Sequence, residues 1–123
     1  MVWEMKRLLP ILAAAVMLVL AVGCEENGNR IAFYSDRDGD SEIFVMDADG
    51  THVEQLTDHD HWNTSPAWSL DGKRIAFISH RGGHLDIFVM DADGTNLQQL
   101  TDDDDWNGRP AWSPDARSNR LHE

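Results

Sequence analysis

The chain has 123 residues, enough for one small domain, with 22 Asp plus Glu against 10 Lys plus Arg and a net charge of −12. A surface this acidic repels phosphate backbones, which argues against nucleic acid as a partner and leaves basic proteins, cations or plain solubility. The single cysteine, Cys24, cannot form an internal disulfide.

Met1 to Arg7 is short and carries Lys6 and Arg7, and Leu8 to Val22 is apolar throughout. That run falls short of the ~20 residues a membrane-spanning helix needs, and a charged segment before a short apolar one reads as an export signal. Ala21-Val22-Gly23-Cys24 follows. It resembles the bacterial lipobox, in which small residues precede a cysteine that is lipidated and becomes the mature N-terminus. The resemblance implies a lipoprotein signal peptide over 1–23, lipid attachment at Cys24, and a remainder facing the periplasm or exterior, held at the membrane by its lipid anchor. The competing reading is an uncleaved anchor helix. Residues 24–29 are polar and contain Gly28, as a short linker would.

From there the chain repeats. Ile43 to Thr51 recurs letter for letter at Ile87 to Thr95, 44 residues on, and sliding residues 27–71 by that step gives 29 identities in 45 positions. A period of about 40–45 residues suggests one supersecondary unit per repeat, with a four-stranded propeller blade the leading candidate.

Within the repeat, Arg30 to Ser35 is a short run of strand formers and Asp36 to Ser41 is a cluster of turn residues. Glu42 to Met46 is apolar at alternate positions of both parities, so both faces of that strand should be buried. No helical periodicity appears after Cys24, so sheet packed on sheet is the way to cover both faces. Asp47 to Gly50 reads as a hairpin turn and Val53 to Thr57 as a polar outer strand. Asp58 to Thr64 connects to the next unit, which Pro66 should open, since a residue without an amide proton suits the first position of a strand. The second pass repeats the order: strand 74–79, loop 80–85, strand 86–90, turn 91–94, outer strand 96–101, connection 102–109 and one more inner strand, Pro110 to Ser113. Residues 116–123 are polar and unpatterned, as a disordered tail would be.

Four blocks in order carry a family resemblance: Pro66 to Asp71, Arg74 to Arg81, Ile87 to Gly94 and Gln99 to Thr101. Together they look like the TolB-type, WD-like propeller repeat, over about residues 27–115 of this chain. The resemblance implies a four-stranded antiparallel blade and a β-propeller, usually of about six blades. The fold expected here is therefore all-β, a partial β-propeller of about two blades over 30–115. Such blades serve in envelope scaffolds and as gates on peptidases, so the fold alone names no activity. Three strands, then four, then one leave the array short. Either the chain is a truncated gene product, or copies self-associate, one copy's last strand completing another's first blade.

In an up-and-down blade, alternate turns lie on opposite faces. One face then collects Asp36, Asp38, Asp40, Asp58, His59, Asp60, His61, His80, His84, Asp102, Asp103, Asp104 and Asp105, the best candidate surface for a basic partner or, alternatively, a cation. The bland alternative is a solvated acidic rim. The alternation Asp36-x-Asp38-x-Asp40 lacks the glycine, the bidentate glutamate and the helices of an EF-hand. His59-x-His61 gives two ligands, which make no zinc site, so no metal or cofactor is expected. Trp62, Trp68, Trp106 and Trp112 recur at the repeat period and are expected to pack in the core, with a stacking surface for sugars or peptides the lesser alternative.

For catalysis there is no Gly-x-Ser-x-Gly elbow, no His-Glu-x-x-His and no phosphate-cradling glycine loop. The preferred reading is a non-enzymatic, membrane-tethered binding or scaffold module acting on other envelope proteins. The alternative is a fragment of a larger exported enzyme whose propeller gates a hydrolase.

Overall fold

The computed structural model describes residues 29–114 and the backbone of Leu121–His122. The expected signal peptide over 1–23, Cys24 and most of the linker lie outside the described residues.

Strands β1 (Arg30–Ser35), β2 (Glu42–Asp47) and β3 (Glu54–Gln55) form a three-stranded sheet in that order. Strands β4 (Asn63–Trp68), β5 (Arg74–Ser79), β6 (Asp86–Asp91) and β7 (Gln98–Gln99) form a four-stranded one. A last pair, β8 (Ala111–Trp112) and β9 (Leu121–His122), follows. All pairings are antiparallel, as expected of blades built from consecutive hairpins. Within the stretch 116–123, read as a disordered tail, Leu121–His122 pairs with β8.

The repeat is reproduced in register. Phe33 faces Phe44 across β1 and β2, and Phe77 faces Phe88 across β5 and β6. Both pairs are stacked, with ring centroids 5.6 and 6.0 Å apart, geometry that contributes ~0.5–1.5 kcal/mol per pair beyond burial. Arg37 lies over Phe44 at 4.6 Å and its repeat partner Arg81 over Phe88 at 5.5 Å.

The core is shared between the two sheets. Ile43, Val45, Ile75, Phe77, Phe88 and Met90 form one buried cluster, with Ala32, Leu56 and Trp68 packed against it. Ile43, Phe44 and Val45 are consecutive and all buried, so both faces of β2 are covered as its composition requires. Neither sheet could bury its apolar residues alone. Each fully buried Ile or Phe contributes ~1.5–3 kcal/mol, so the blades stabilise one another.

The hairpin turns match their reading and add to it. Gly50 N–H donates to Asp47 O, and Gly94 N–H to Asp91 O, both at 2.9 Å. Positive φ occurs at Gly50 and Gly94 and again two residues on, at His52 (51°) and Asn96 (53°). Those two side chains reach back to one acceptor position: His52 Nδ1 lies 2.7 Å from Asp47 Oδ2, and Asn96 Nδ2 donates to Asp91 Oδ2 at 2.6 Å. That local bond stabilises a backbone conformation that side chains otherwise avoid.

Two expectations need correction. The inner strand begins at Asn63 and not at Pro66. Its register shifts between Thr64 and Ala67, with Ser65 at φ 55°, so Pro66 sits at a bulge where no ladder hydrogen bond is asked of it. The outer strands are also shorter than expected, two residues each at 54–55 and 98–99. Their residues are exposed, and only the inner edge has a partner strand to pair with.

Candidate functional site

The loops between strands rest on a buried polar network that recurs in both repeats. Glu42 opens β2 and is only 4% exposed. Its Oε2 accepts hydrogen bonds from Thr57 Oγ1 and from Asn63 Nδ2, and its Oε1 accepts from the His59 amide at 2.9 Å. Thr57 Oγ1 in turn accepts from the Ile43 amide at 2.9 Å. In the next repeat Asp86 stands at the same position. Its Oδ1 accepts from Thr101 Oγ1 at 3.1 Å and Asn107 Nδ2 at 3.5 Å, and Thr101 Oγ1 accepts from the Ile87 amide at 2.9 Å. A buried carboxylate is tolerated only when several donors satisfy it, and here a threonine and an asparagine from the following loop do so. The network ties the end of each outer strand, the root of the connecting loop and the start of the central strand together. Nothing in the sequence reading singled out Glu42 or Asp86.

Above that network the loops expected to share a face come together. Asn63 N–H donates to Ser41 O at 2.7 Å, joining the 36–41 and 58–63 loops. The His80 amide donates to Trp62 O at 2.9 Å, with the two rings 6.3 Å apart. His84 Nε2 lies 3.5 Å from Asp104 Oδ1, linking the 80–85 and 102–109 loops. Asn107 Nδ2 donates to Leu85 O at 3.0 Å and to Asp103 Oδ1 at 3.2 Å, which shapes the acidic run from within.

A cleft of about 360 Å³ opens between the two connections, lined by Trp62, His80, His84, Leu85, Asp104 and Trp106. A second, of about 330 Å³, is lined by Asp58, His59, Asp60, His61 and Arg81. The candidate residues therefore divide. His80, His84, Asp104 and Asp105 line the first cleft, Asp58 to His61 line the second, and Asp36, Asp38 and Asp40 are exposed on their loop and line neither. Asp102 and Asp103 are exposed on the connection itself.

The tryptophans separate into two kinds, which corrects the expectation that all four pack in the core. Trp68 and Trp112 are half-buried at the inner strands, and the Trp112 indole donates to Ala67 O at 2.9 Å. Trp62 and Trp106 are 64% and 82% exposed at the cleft. They stand on the loops beyond the sheet, where no neighbouring strand reaches over them.

The opposite face carries the Asp-Gly turns. There Asp49 Oδ1 accepts from both the hydroxyl and the amide of Thr51, and Asp93 does the same with Thr95. The Thr51 and Thr95 hydroxyls, then their amides, hold these two carboxyls below the ordinary aspartate range. These acids are turn formers, as their spacing implied.

The chain is similar to known proteins over this same region. Its residues 17–120 match the TolB beta propeller domain. It is 44% identical over 43 residues to the Tol-Pal system protein TolB of Desulfosudis oleivorans, an alignment covering 35% of this chain and 10% of that protein. The solved structure of a putative TolB from Agrobacterium tumefaciens superposes with a TM-score of 0.67 at 31% identity, covering 72% of this chain and 32% of the other. TolB from Acinetobacter baumannii shares the fold, with a TM-score of 0.63 at 24% identity over 85% of this chain and 27% of that one. The chain thus spans about a third or less of these relatives. With the repeat, the blade topology and this match in agreement, the chain belongs to the TolB beta propeller domain family.

Proposed function

We propose that this protein is a non-catalytic binding module of the cell envelope, tethered to the membrane through Cys24, whose acidic loop face docks a basic partner protein. The observation that carries the reading is the pair of exposed tryptophans, Trp62 and Trp106, at one cleft with Asp104, Asp105 and His84 beside them. Exposed aromatic anchors with a charged rim are the composition of binding hot spots, and a merely solubilising acidic rim does not need them. The rim supplies steering toward a cationic surface, and the indoles supply the area that such a contact buries. Export is supported by the charged and apolar N-terminal segments, and an envelope role by kinship to proteins of the Tol-Pal system.

The test is a photo-crosslinking amino acid at position 105, beside Trp106 in the same cleft, of the full-length chain in its own cells. The reading expects one or a few envelope proteins captured at 105, and no capture when the crosslinker sits at Asp71 on the other face. Equal capture from both positions would contradict it. Metabolic labelling with a fatty-acid analogue, lost in Cys24→Ser, tests the tether separately.

A further inference from the structure

Among the described residues the first blade has no strand equivalent to β4. In the second blade, β4 pairs with β5 along Asn63↔Ser79, Thr64↔Ile78, Ala67↔Ala76 and Trp68↔Ile75. The corresponding edge of β1 ends its sheet, and its sequence Arg30-Ile31-Ala32-Phe33 repeats Arg74-Ile75-Ala76-Phe77. Ile31 and Tyr34 are 43% and 53% exposed there. A cleft of about 360 Å³ runs beside it, lined by Ala32, Phe33 and Tyr34 on the β1 side and by Ser65, Pro66, Arg109 and Pro110 of the same chain on the other.

A second observation marks the same gap. Trp112 donates its indole N–H to Ala67 O of the preceding inner strand. Trp68 is the same residue one repeat earlier, and its Nε1 is buried with no hydrogen-bond partner among the described residues. No strand among the described residues of the first blade supplies the carbonyl that would receive it.

The chain also carries a strand of that kind. Pro110-Ala111-Trp112-Ser113 is identical to Pro66-Ala67-Trp68-Ser69 of β4. Its β5-like slot is held by Leu121–His122 through two register pairs, where β5 itself makes four with β4. We propose that the free edge of β1 accepts the Pro110–Ser113 strand of a second copy of this chain, in the register Asn107↔Ser35, Gly108↔Tyr34, Ala111↔Ala32 and Trp112↔Ile31. The incoming strand displaces β9 from its own copy, brings the Ala111 carbonyl to the Trp68 indole, and closes an edge that would otherwise template uncontrolled pairing. The proposal uses none of the acidic side chains and stands apart from the partner reading above, though its register takes in Asn107 and Gly108 at the end of the 102–109 connection.

Paired residues on adjacent antiparallel strands have Cα atoms ~4.5–5.5 Å apart, within disulfide reach. The test mixes two purified full-length chains in detergent, both Cys24→Ser, one carrying Ala32→Cys and the other Ala111→Cys. Oxidation should give a disulfide heterodimer that is absent when Ala32→Cys is replaced by Ala48→Cys. Leu121→Pro in the Ala111→Cys chain should raise its yield by loosening β9. No heterodimer between chains that retain their sheet circular dichroism would overturn the proposal. So would a disulfide confined within one chain carrying both cysteines, or a yield that Leu121→Pro lowers.

Discussion

Thr101 Oγ1 donates to Asp86 Oδ1 at 3.1 Å while accepting the Ile87 amide at 2.9 Å, so one hydroxyl satisfies a buried carboxylate and a buried backbone donor together. Thr57 fills the same role between Glu42 and Ile43. Replacing Thr101 by Val keeps the shape, strands the Ile87 amide and takes one donor from Asp86, which keeps Gln99 and Asn107. A buried polar group left unpaired costs ~1–3 kcal/mol, so Thr101→Val should lower stability by at least ~1 kcal/mol in urea unfolding. Thr95→Val, at an exposed turn, should cost less.

How much of this was legible in the residues differs from element to element. The central strands were, because an apolar run with both parities apolar fits only a strand covered on two sides, as Ile43, Phe44 and Val45 are. The turns were, because Asp-x-Asp-Gly leaves few conformations open. Glu42 and Asp86 were not, because an acid at a strand start looks solvent-facing until the donors from Thr57, Asn63, Thr101 and Asn107 are seen. Trp62 and Trp106 misled in the other direction. Their periodicity matches that of Trp68 and Trp112, and only the loop geometry places the first pair outside the core. The bulge at Ser65 was likewise invisible, since Pro66 alone fits a strand start as well as a bulge.

The contact between blades makes a glycine comparison informative. Gly50 and Gly94 share φ of 85°, so alanine at either position meets the same backbone strain. A Cβ at Gly94 would also lie 3.0 Å from the Leu56 carbonyl oxygen of the neighbouring blade, whereas Gly50 faces open space. Left-handed backbone costs a non-glycine residue ~1–2 kcal/mol. Gly50→Ala should lose about that much in urea unfolding, and Gly94→Ala distinctly more.

The turn acids give a pH prediction whose sign follows from the direction of their shift. Asp93 is held below the ordinary range by Thr95, so the folded state favours its ionised form. That contribution is fully present above the ordinary aspartate pKa of ~3.9 and fades as pH falls through the lower folded value. Carboxyl-carbon NMR should show Asp93 titrating below ~3.9 in the native chain, and closer to it in Thr95→Ala.

Trp112 and Trp106 should behave oppositely when changed. Trp112→Phe removes the hydrogen bond to Ala67 O and should cost ~0.5–1.5 kcal/mol of stability with no effect on partner capture. Trp106→Ala removes a side chain that is 82% exposed, so stability should stay within ~0.5 kcal/mol while capture is lost. Paired unfolding and crosslinking measurements on the two variants check both halves.

In the proposed function, the acidic loops and the two exposed tryptophans form one binding face. The most direct measurement is tryptophan fluorescence of the full-length chain titrated with a lysine- and leucine-rich peptide, in the wild type and in a Trp106→Ala, Asp104→Asn variant. The account predicts a saturable signal from the wild type that weakens with added salt and disappears in the variant. A wild type that shows no saturable change, or a variant that binds the peptide equally well, would contradict it.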